Sequence, residues 1–234
     1  MKHGGSSLIN SIEKSVAEFI GTFALVLVAA GSVNVNWSFL GSHEILGVAT
    51  ACGLIVTLAV YSIGNISGAH INPAVTTSLF ITGQMELKNT ISYIVAQLMG
   101  ATGACLFLSY LVPADMGNMY LGTTVLASEV TFKAGILIEA VLTFILVFTI
   151  FVVAVDNRTS TKYAGVIIGA IVFLDIIVAG SLTGASMNPA RTFGPAFVLG
   201  HWADHLVYWI GPITGGMFAA FFYTGIFSLK GNTA

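Results

Sequence analysis

The chain has 234 residues, of which 56% are hydrophobic and only 8% are charged, and its formal net charge is −2. Soluble domains carry about 25% charged residues, so this composition excludes a soluble globular protein and predicts an integral membrane protein. The mean hydropathy of +0.92 agrees with that prediction. Basic residues occur only singly, which gives no indication of nucleic-acid binding.

The two cysteines, Cys52 and Cys105, both lie in apolar stretches. Two cysteines in apolar stretches cannot supply a disulfide framework or a four-ligand metal site, so no metal is predicted. The sequence also has no nucleophile and base pair, no metal-ligand cluster and no phosphate-binding loop. We therefore predict neither an enzyme activity nor a cofactor.

Six apolar segments are long enough to cross a bilayer, which takes about 20 helical residues. In chain order they cover about residues 15–33, 45–64, 89–112, 134–155, 163–181 and 205–228. We expect one membrane domain over residues 15–228, with short terminal segments at 1–14 and 229–234. An even number of spans returns both termini to the same side.

A ten-residue stretch occurs twice, first as Ser67–Thr76 and again as Thr183–Thr192. Each copy has a Gly-Ala turn followed by Asn-Pro-Ala. Asn is a favoured helix N-cap, and Pro is favoured at the first helical position because its missing N–H would be unpaired there. Each copy therefore predicts a loop followed by a short helix, over Pro73–Ile81 and Pro189–Leu199, too short to span the membrane.

The two halves of the chain also correspond outside this motif, since Glu18–Phe23 is similar to Glu139–Phe144. The first repeat covers about residues 15–112 and the second about residues 134–228. Three spans per repeat start the repeats on opposite sides of the membrane. The predicted fold is an all-α membrane protein of six transmembrane helices and two re-entrant half-helices, in an inverted 3+3 repeat.

The basic residues orient this arrangement, because Lys and Arg are enriched on the cytoplasmic side. One side has only Lys133 and the motif residue Arg191, and the other has six basic residues: Lys2, Lys14, Lys88, Arg158, Lys162 and Lys230. This bias predicts cytoplasmic termini. The first half-helix then enters from the cytoplasm and the second from outside.

Non-helical backbone survives at membrane depth only inside protein or along a wet cavity. The two motifs should therefore meet near the midplane, with the positive end of each helix dipole directed at the same point. The side-chain amides of Asn72 and Asn188 can donate to a passing solute there. A pore for neutral solutes is predicted, with six residues at its centre: Asn72, Pro73, Ala74, Asn188, Pro189 and Ala190.

The double Asn-Pro-Ala frame, the Glu18 and Glu139 pair and the inverted repeat resemble the major intrinsic proteins, or aquaporins, over about residues 17–227. The resemblance implies a homotetramer in the lipid bilayer, with one pore for water in each subunit and with protons and ions rejected. The tract Asp175–Gly180, together with Gly184–Met187, is most similar to the plant tonoplast group. Some members of that group pass ammonia or urea.

The resemblance also implies a selectivity filter of four residues at fixed distances from the two motif asparagines. Here the four positions hold Cys52, Ile176, Ala185 and Arg191. A strict water channel usually has Phe and His where this chain has Cys52 and Ile176. We therefore expect a wider and less polar constriction that admits ammonia or another small neutral solute besides water. We also expect a mercurial bound to the Cys52 thiol to block flow.

Four other polar residues need an interpretation. We expect Glu18 and Glu139 to accept hydrogen bonds from the re-entrant loops. His70 either ties its loop together, which we favour, or contacts solute. Asp175 either bonds to a neighbouring helix or loop, which we favour, or widens the polar side of a vestibule.

Three alternatives to a water channel remain open at this point. A glycerol or urea facilitator would share the fold, although an Asp usually follows the filter Arg in those proteins and Thr192 follows it here. An ion-coupled secondary transporter would share the inverted repeat, and a non-conducting junction protein would share the tetramer. The expected location is the cell membrane, or the vacuolar membrane if the source is a plant.

Overall fold

The computed structural model describes residues 4–40, 45–111 and 120–227, and within these ranges the regular secondary structure is helical. Eight helices are numbered in chain order: α1 Gly4–Leu40, α2 Ile45–Ser67, α3 Pro73–Ile81, α4 Leu87–Leu111, α5 Phe132–Ile150, α6 Ala164–Thr183, α7 Pro189–Leu199 and α8 Val207–Phe227. A π-helical turn, Phe151–Val155, extends α5. The two short helices have the predicted bounds, because an Asn cap and a Pro fix where each begins.

Within the described ranges, six helical segments are long and apolar enough to cross a membrane, as the sequence predicts. The predicted edges are accurate to a few residues, and the largest difference is at the first span, which begins at Ser11 rather than at residue 15. Helix α1 itself starts at Gly4, inside the predicted terminal segment 1–14, because no helix-breaking residue separates that segment from the span. Residues 229–234 lie outside the described ranges.

The helices pack in two equivalent sets. Helix α1 packs against α2 and α4, α5 packs against α6 and α8 in the same way, and α2 meets α6 between the sets. Each short helix packs on the third span of the other repeat, since α3 lies on α8 and α7 lies on α4. This exchange brings the two Asn-Pro-Ala motifs together at the centre of the molecule.

Glycines permit the closest helix contacts in both sets. A Cβ on Gly100 would overlap the backbone of Phe19, and a Cβ on Gly215 would overlap the backbone of Ala140. These contacts join α1 to α4 and α5 to α8 at corresponding positions. Small residues at such crossings let membrane helices approach closely, so both repeats rely on the same device.

Candidate functional site

The two motif asparagines cap their own helices and also hold each other's loops. The Oδ1 atoms of Asn72 and Asn188 accept from the backbone amide two residues further on, at 2.8 and 3.0 Å. The Nδ2 atom of Asn72 donates to the carbonyl of Met187 at 2.8 Å, and Nδ2 of Asn188 donates to the carbonyl of Ile71 at 2.8 Å. Because an amide nitrogen carries two hydrogens, each side chain keeps one donor for another partner.

The loops that precede the asparagines have left-handed backbone at matching positions. The six values of φ are 92° at Gly68, 50° at Ala69, 44° at Ile71, 82° at Gly184, 42° at Ala185 and 52° at Met187. Such angles are unfavourable for residues with a Cβ and persist only where the surroundings impose them. The repetition in both loops shows that the strain belongs to the motif.

A buried carboxylate imposes this conformation on the first loop. Glu18 of α1 is completely buried. Its Oε1 accepts from the Ser67 hydroxyl at 2.6 Å and from the His70 amide at 2.9 Å. Its Oε2 accepts from the Ile71 amide at 2.6 Å and from Nε2 of Gln97 at 2.8 Å.

Glu139 of α5 has the corresponding position at the second loop and is also completely buried. Its Oε1 accepts from the Thr183 hydroxyl at 2.7 Å and from the Ser186 amide at 2.9 Å, and its Oε2 accepts from the Met187 amide at 2.7 Å. The two loops thus use the same scaffold. The first carboxylate accepts four hydrogen bonds from these groups, and the second accepts three.

Two cavities adjoin at the second motif. We call the first, of about 240 Å³, the central cavity, because both asparagines line it. The second, of about 370 Å³, is bounded by residues 122–127 and is called the loop cavity. Among the described residues, four line both cavities: Cys52, Ile176, Ala185 and Arg191. These four are the residues that the resemblance assigns to the filter, and each is at most 8% exposed.

Arg191 is held in this ring from outside the motif. Its Nη1 donates to the carbonyl of Gly122, and its backbone amide donates to Oδ1 of Asn188 at 3.3 Å. Gly122 has a φ of 68°, and a Cβ there would lie 2.6 Å from Cα of Ala30, so only glycine fits. A guanidinium has five N–H groups, so this carbonyl leaves donors for the cavities.

The wall of the central cavity is polar on one side and apolar on the other. The two motif loops and their asparagines supply the polar side. Residues of four spans supply apolar side chains, among them Leu25, Val56, Leu146 and Val172. The positive ends of α3 and α7 meet at the same cavity. The arrangement can hydrogen-bond a small neutral solute, and it repels a cation.

The other two polar predictions have different outcomes. The Nδ1 atom of His70 lies 3.2 Å from the Thr76 hydroxyl, and the residue also lines the central cavity. Asp175 is 4% exposed and is not among the residues that line either cavity. The expected hydrogen bond is not present at its Oδ2, which is buried without a partner within the described part of the chain.

Sequence reasoning missed two contributors to the site. Gln97 of α4 bridges Glu18 and the Thr76 hydroxyl, the latter at 3.0 Å, and an amide inside an apolar span could have indicated such a role. Gly122 holds Arg191 through its backbone carbonyl. A carbonyl has no sequence signature, so this contact could not have been found from the motif.

An ion pair lies where the π-helical turn ends, next to Val155 of the central cavity. Asp156 accepts from Arg158 and from the Tyr223 hydroxyl, the latter at 2.9 Å. Arg158 also donates to the carbonyl of Phe227 at 2.7 Å. The hydrogen bonds from Arg158 hold the pKa of the Asp156 carboxyl well below its ordinary value. The pair fastens the connection after α5 to the end of α8.

The chain is similar to known proteins in both sequence and fold. The family profile described as "Major intrinsic protein" matches residues 6–223. Aquaporin TIP4-4 of Zea mays is 40% identical over 236 residues, covering 98% of this chain and 92% of that protein. Aquaporin NIP1-1 of Zea mays is 40% identical over 212 residues, covering 91% and 74%.

Among solved structures, the X-ray structure of the aquaglyceroporin from Plasmodium falciparum superposes with a TM-score of 0.80 at 24% identity, covering 93% of this chain and 97% of that one. At that identity the likeness shows the fold alone. The profile match spans nearly the whole chain and agrees with the two sequence relatives. The chain belongs to the major intrinsic protein, or aquaporin, family of membrane channels for water or small solutes.

Proposed function

We propose that this protein is a passive water channel that rejects protons and ions and also passes ammonia or another small neutral solute. The observation that carries the proposal is the ring of Cys52, Ile176, Ala185 and Arg191, which lies where the two cavities adjoin. A solute moving from one cavity to the other must pass this ring. Arg191 offers it hydrogen-bond donors and repels cations.

Proton rejection rests on Asn72 and Asn188. Each has one amide hydrogen committed to the opposite loop and one left over. A water molecule that accepts from both free hydrogens is held with its oxygen toward the asparagines. It can then donate to the waters on either side but accept from neither, which interrupts a proton-conducting chain of waters. The half-helix dipoles oppose any positive charge at the same point.

The composition of the ring supports a cargo broader than water. Cys52 and Ile176 are smaller or less polar than the Phe and His of strict water channels, so we expect a wider and less polar ring that admits neutral solutes larger than water. A glycerol or urea facilitator of the same fold is the alternative within the family. An ion-coupled transporter and a non-conducting junction protein are disfavoured, because the family is one of channels.

Stopped-flow light scattering on proteoliposomes tests the proposal. We expect fast shrinkage in an impermeant osmolyte, little swelling in glycerol, and a fast change of internal pH after an ammonium pulse, all relative to empty liposomes. Shrinkage no faster than in empty liposomes would contradict a water channel. Glycerol flux that matches water flux would favour the facilitator, and gradient-coupled, saturable uptake would favour the transporter.

We further propose a homotetramer with both termini in the cytoplasm, placed in the cell membrane or, if the source is a plant, in the vacuolar membrane. Because the family is one of channels, we expect neither a cofactor nor a catalytic site. Light scattering coupled to gel filtration in detergent measures the subunit number. Protease protection of tags at the two termini in sealed vesicles tests their side, and cleavage of only one tag would contradict an even number of spans.

A further inference from the structure

Three buried hydroxyl groups connect the chain before α5 to the second motif. Oγ1 of Thr124 lies 2.6 Å from Oγ1 of Thr192. Oγ1 of Thr192 lies 2.7 Å from Oγ of Ser186. Ser186 donates in turn to the carbonyl of Asn188 at 2.9 Å. All four residues are at most 6% exposed, so these hydrogen bonds are largely shielded from bulk water.

The direction of this chain of hydroxyls follows from counting hydrogens. A carbonyl can only accept, so the single hydrogen of the Ser186 hydroxyl goes to Asn188. Thr192 must then donate to Ser186, and Thr124 must donate to Thr192. The Thr124 hydroxyl is therefore the first donor in a one-way chain that ends on the backbone of the motif asparagine.

The same short segment also holds Arg191. Gly122, two residues before Thr124, accepts from the Arg191 guanidinium and packs against Ala30. Arg191 and Thr192 are neighbours on α7, so the segment is fastened to two consecutive residues of that helix. Contact with Ala30 fixes Gly122 on one side, and the hydrogen bond from Thr124 to Thr192 fixes the segment on the other. If the hydrogen bond is lost, only the contact with Ala30 holds the Gly122 carbonyl in place.

The first motif has no such link to an external loop through its own threonine. Thr76 corresponds to Thr192, but its hydroxyl accepts from Gln97 of the neighbouring span and donates directly to the carbonyl of Asn72 at 3.0 Å. The hydroxyl chain is thus a feature of the half that carries the charged ring residue. It is not a requirement of the motif itself.

We propose that Thr124 is a positioning residue that sets the solute selectivity of the ring by fixing Arg191. This inference rests on the proposed function, because it concerns the same ring. The Thr124 hydroxyl keeps the carbonyl of Gly122 in the position where the Arg191 guanidinium donates to it. Without the hydroxyl, Arg191 moves more freely and the ring has a larger average opening. The permeability to solutes larger than water then rises more than the permeability to water.

The chain offers a matched pair of substitutions. Thr124→Val keeps the shape of the side chain, including the methyl group that packs against Gly184, where a Cβ would lie 2.7 Å from Cγ2. Thr124→Ser keeps the hydroxyl and loses that methyl group. A third variant, Thr192→Val, breaks the hydroxyl chain at its middle and leaves Thr124 intact.

The test measures the ratio of urea to water permeability in proteoliposomes that contain equal amounts of each variant. We expect Thr124→Val and Thr192→Val to raise the ratio by about fivefold, the factor that corresponds to one net hydrogen bond. We expect Thr124→Ser to keep the wild-type ratio, because the donor is still present. A purely structural role would change thermal stability without separating the two solutes.

The possible results distinguish this inference from the proposed function. If the wild-type protein conducts water and Thr124→Val has the wild-type ratio, the positioning role is wrong. The role is also wrong if Thr124→Ser raises the ratio as much as Thr124→Val does. If the wild-type protein conducts no more water than empty liposomes, the proposed function itself is wrong. Should Thr124→Val not fold, Thr192→Val decides.

Discussion

The two ends of the central cavity are built from corresponding residues of the two repeats, yet only one end carries a charge. Counting from Asn72 and Asn188, the four ring residues have counterparts at the opposite end. Cys52 corresponds to Ile168, Ile176 to Val60, Ala185 to Ala69, and Arg191 to Val75, and all eight line the cavity. The fold thus places corresponding sets of lining residues in both repeats, and one residue, Arg191, makes the two sets chemically different.

The supports of the two loops differ in a complementary way. Glu18 accepts four hydrogen bonds because Gln97 joins its network, whereas Glu139 accepts three. The second loop is instead linked, through Thr192, to the segment that holds Arg191. The first loop is supported from a neighbouring span, and the second is linked to the buried segment that precedes α5. The inverted repeat supplies the common geometry, and we expect the departures from symmetry to determine the selectivity.

The largest expected effect is a difference in stability between substitutions of the two buried carboxylates, Glu18 and Glu139. Each oxygen of Glu18 accepts two bonds, so Glu18→Gln leaves two donors unpaired whichever oxygen is replaced. Glu139→Gln can keep its doubly bonded oxygen and leaves only the Met187 amide unpaired. Each unpaired buried donor costs about 1–3 kcal/mol. We therefore expect the free energy of unfolding to fall by about 2–6 kcal/mol in Glu18→Gln and by about 1–3 kcal/mol in Glu139→Gln. Thermal denaturation in detergent measures the difference.

Glu13→Gln is the control for this comparison, because Glu13 is exposed on the same helix as Glu18. It should leave the denaturation midpoint unchanged. Equal midpoints for Glu18→Gln and Glu139→Gln would show that the fourth hydrogen bond of the first support does not stabilise the protein.

The next largest effect is expected from a substitution that removes the chemical difference between the two sets of lining residues. Arg191→Val gives the charged ring the residue found at its counterpart, Val75. We expect the ratio of urea to water permeability to rise by about tenfold or more, because the donors and the charge that select solutes are removed. Val75→Ala at the other end is the matched control and should keep the wild-type ratio. An unchanged ratio in Arg191→Val would place the selectivity elsewhere.

The sequence predicts the fold well because its strongest signals are local. Apolar segments of spanning length locate the six spans to within a few residues, and the Asn and Pro of each motif locate α3 and α7. The contacts that complete the site are not local. The left-handed backbone at Ile71 and Met187, the carbonyl of Gly122 and the bridge through Gln97 all depend on segments far apart in the chain.

The two cysteines provide a further test of which residues face the cavities. Cys52 lines both cavities, whereas Cys105 is completely buried and is not among the lining residues. We expect a polar organomercurial to reduce water permeability severalfold by occupying the ring, since a conducting pathway admits small polar reagents. Cys52→Ser should abolish this inhibition and Cys105→Ser should preserve it. The opposite pattern would contradict the placement of Cys52 in the pathway.

The smallest effect concerns the ion pair of Asp156 and Arg158, which lies next to Val155 of the central cavity. The pKa of Asp156 is lowered by its hydrogen bonds from Arg158 and Tyr223, so its contribution to stability is complete above the unfolded value of about 4. That contribution is lost only as the pH falls from there toward the lowered pKa. We expect Asp156→Asn to lower the denaturation midpoint by the same amount at about pH 5 and about pH 8, and by less below about pH 4. Tyr223→Phe removes one hydrogen bond and keeps the pair, so its effect should be smaller.

Because Arg158 is half exposed, added salt should weaken the effect of Asp156→Asn on the denaturation midpoint. If that effect grew as the pH fell from about 8 to about 5, the lowered pKa of Asp156 would be contradicted.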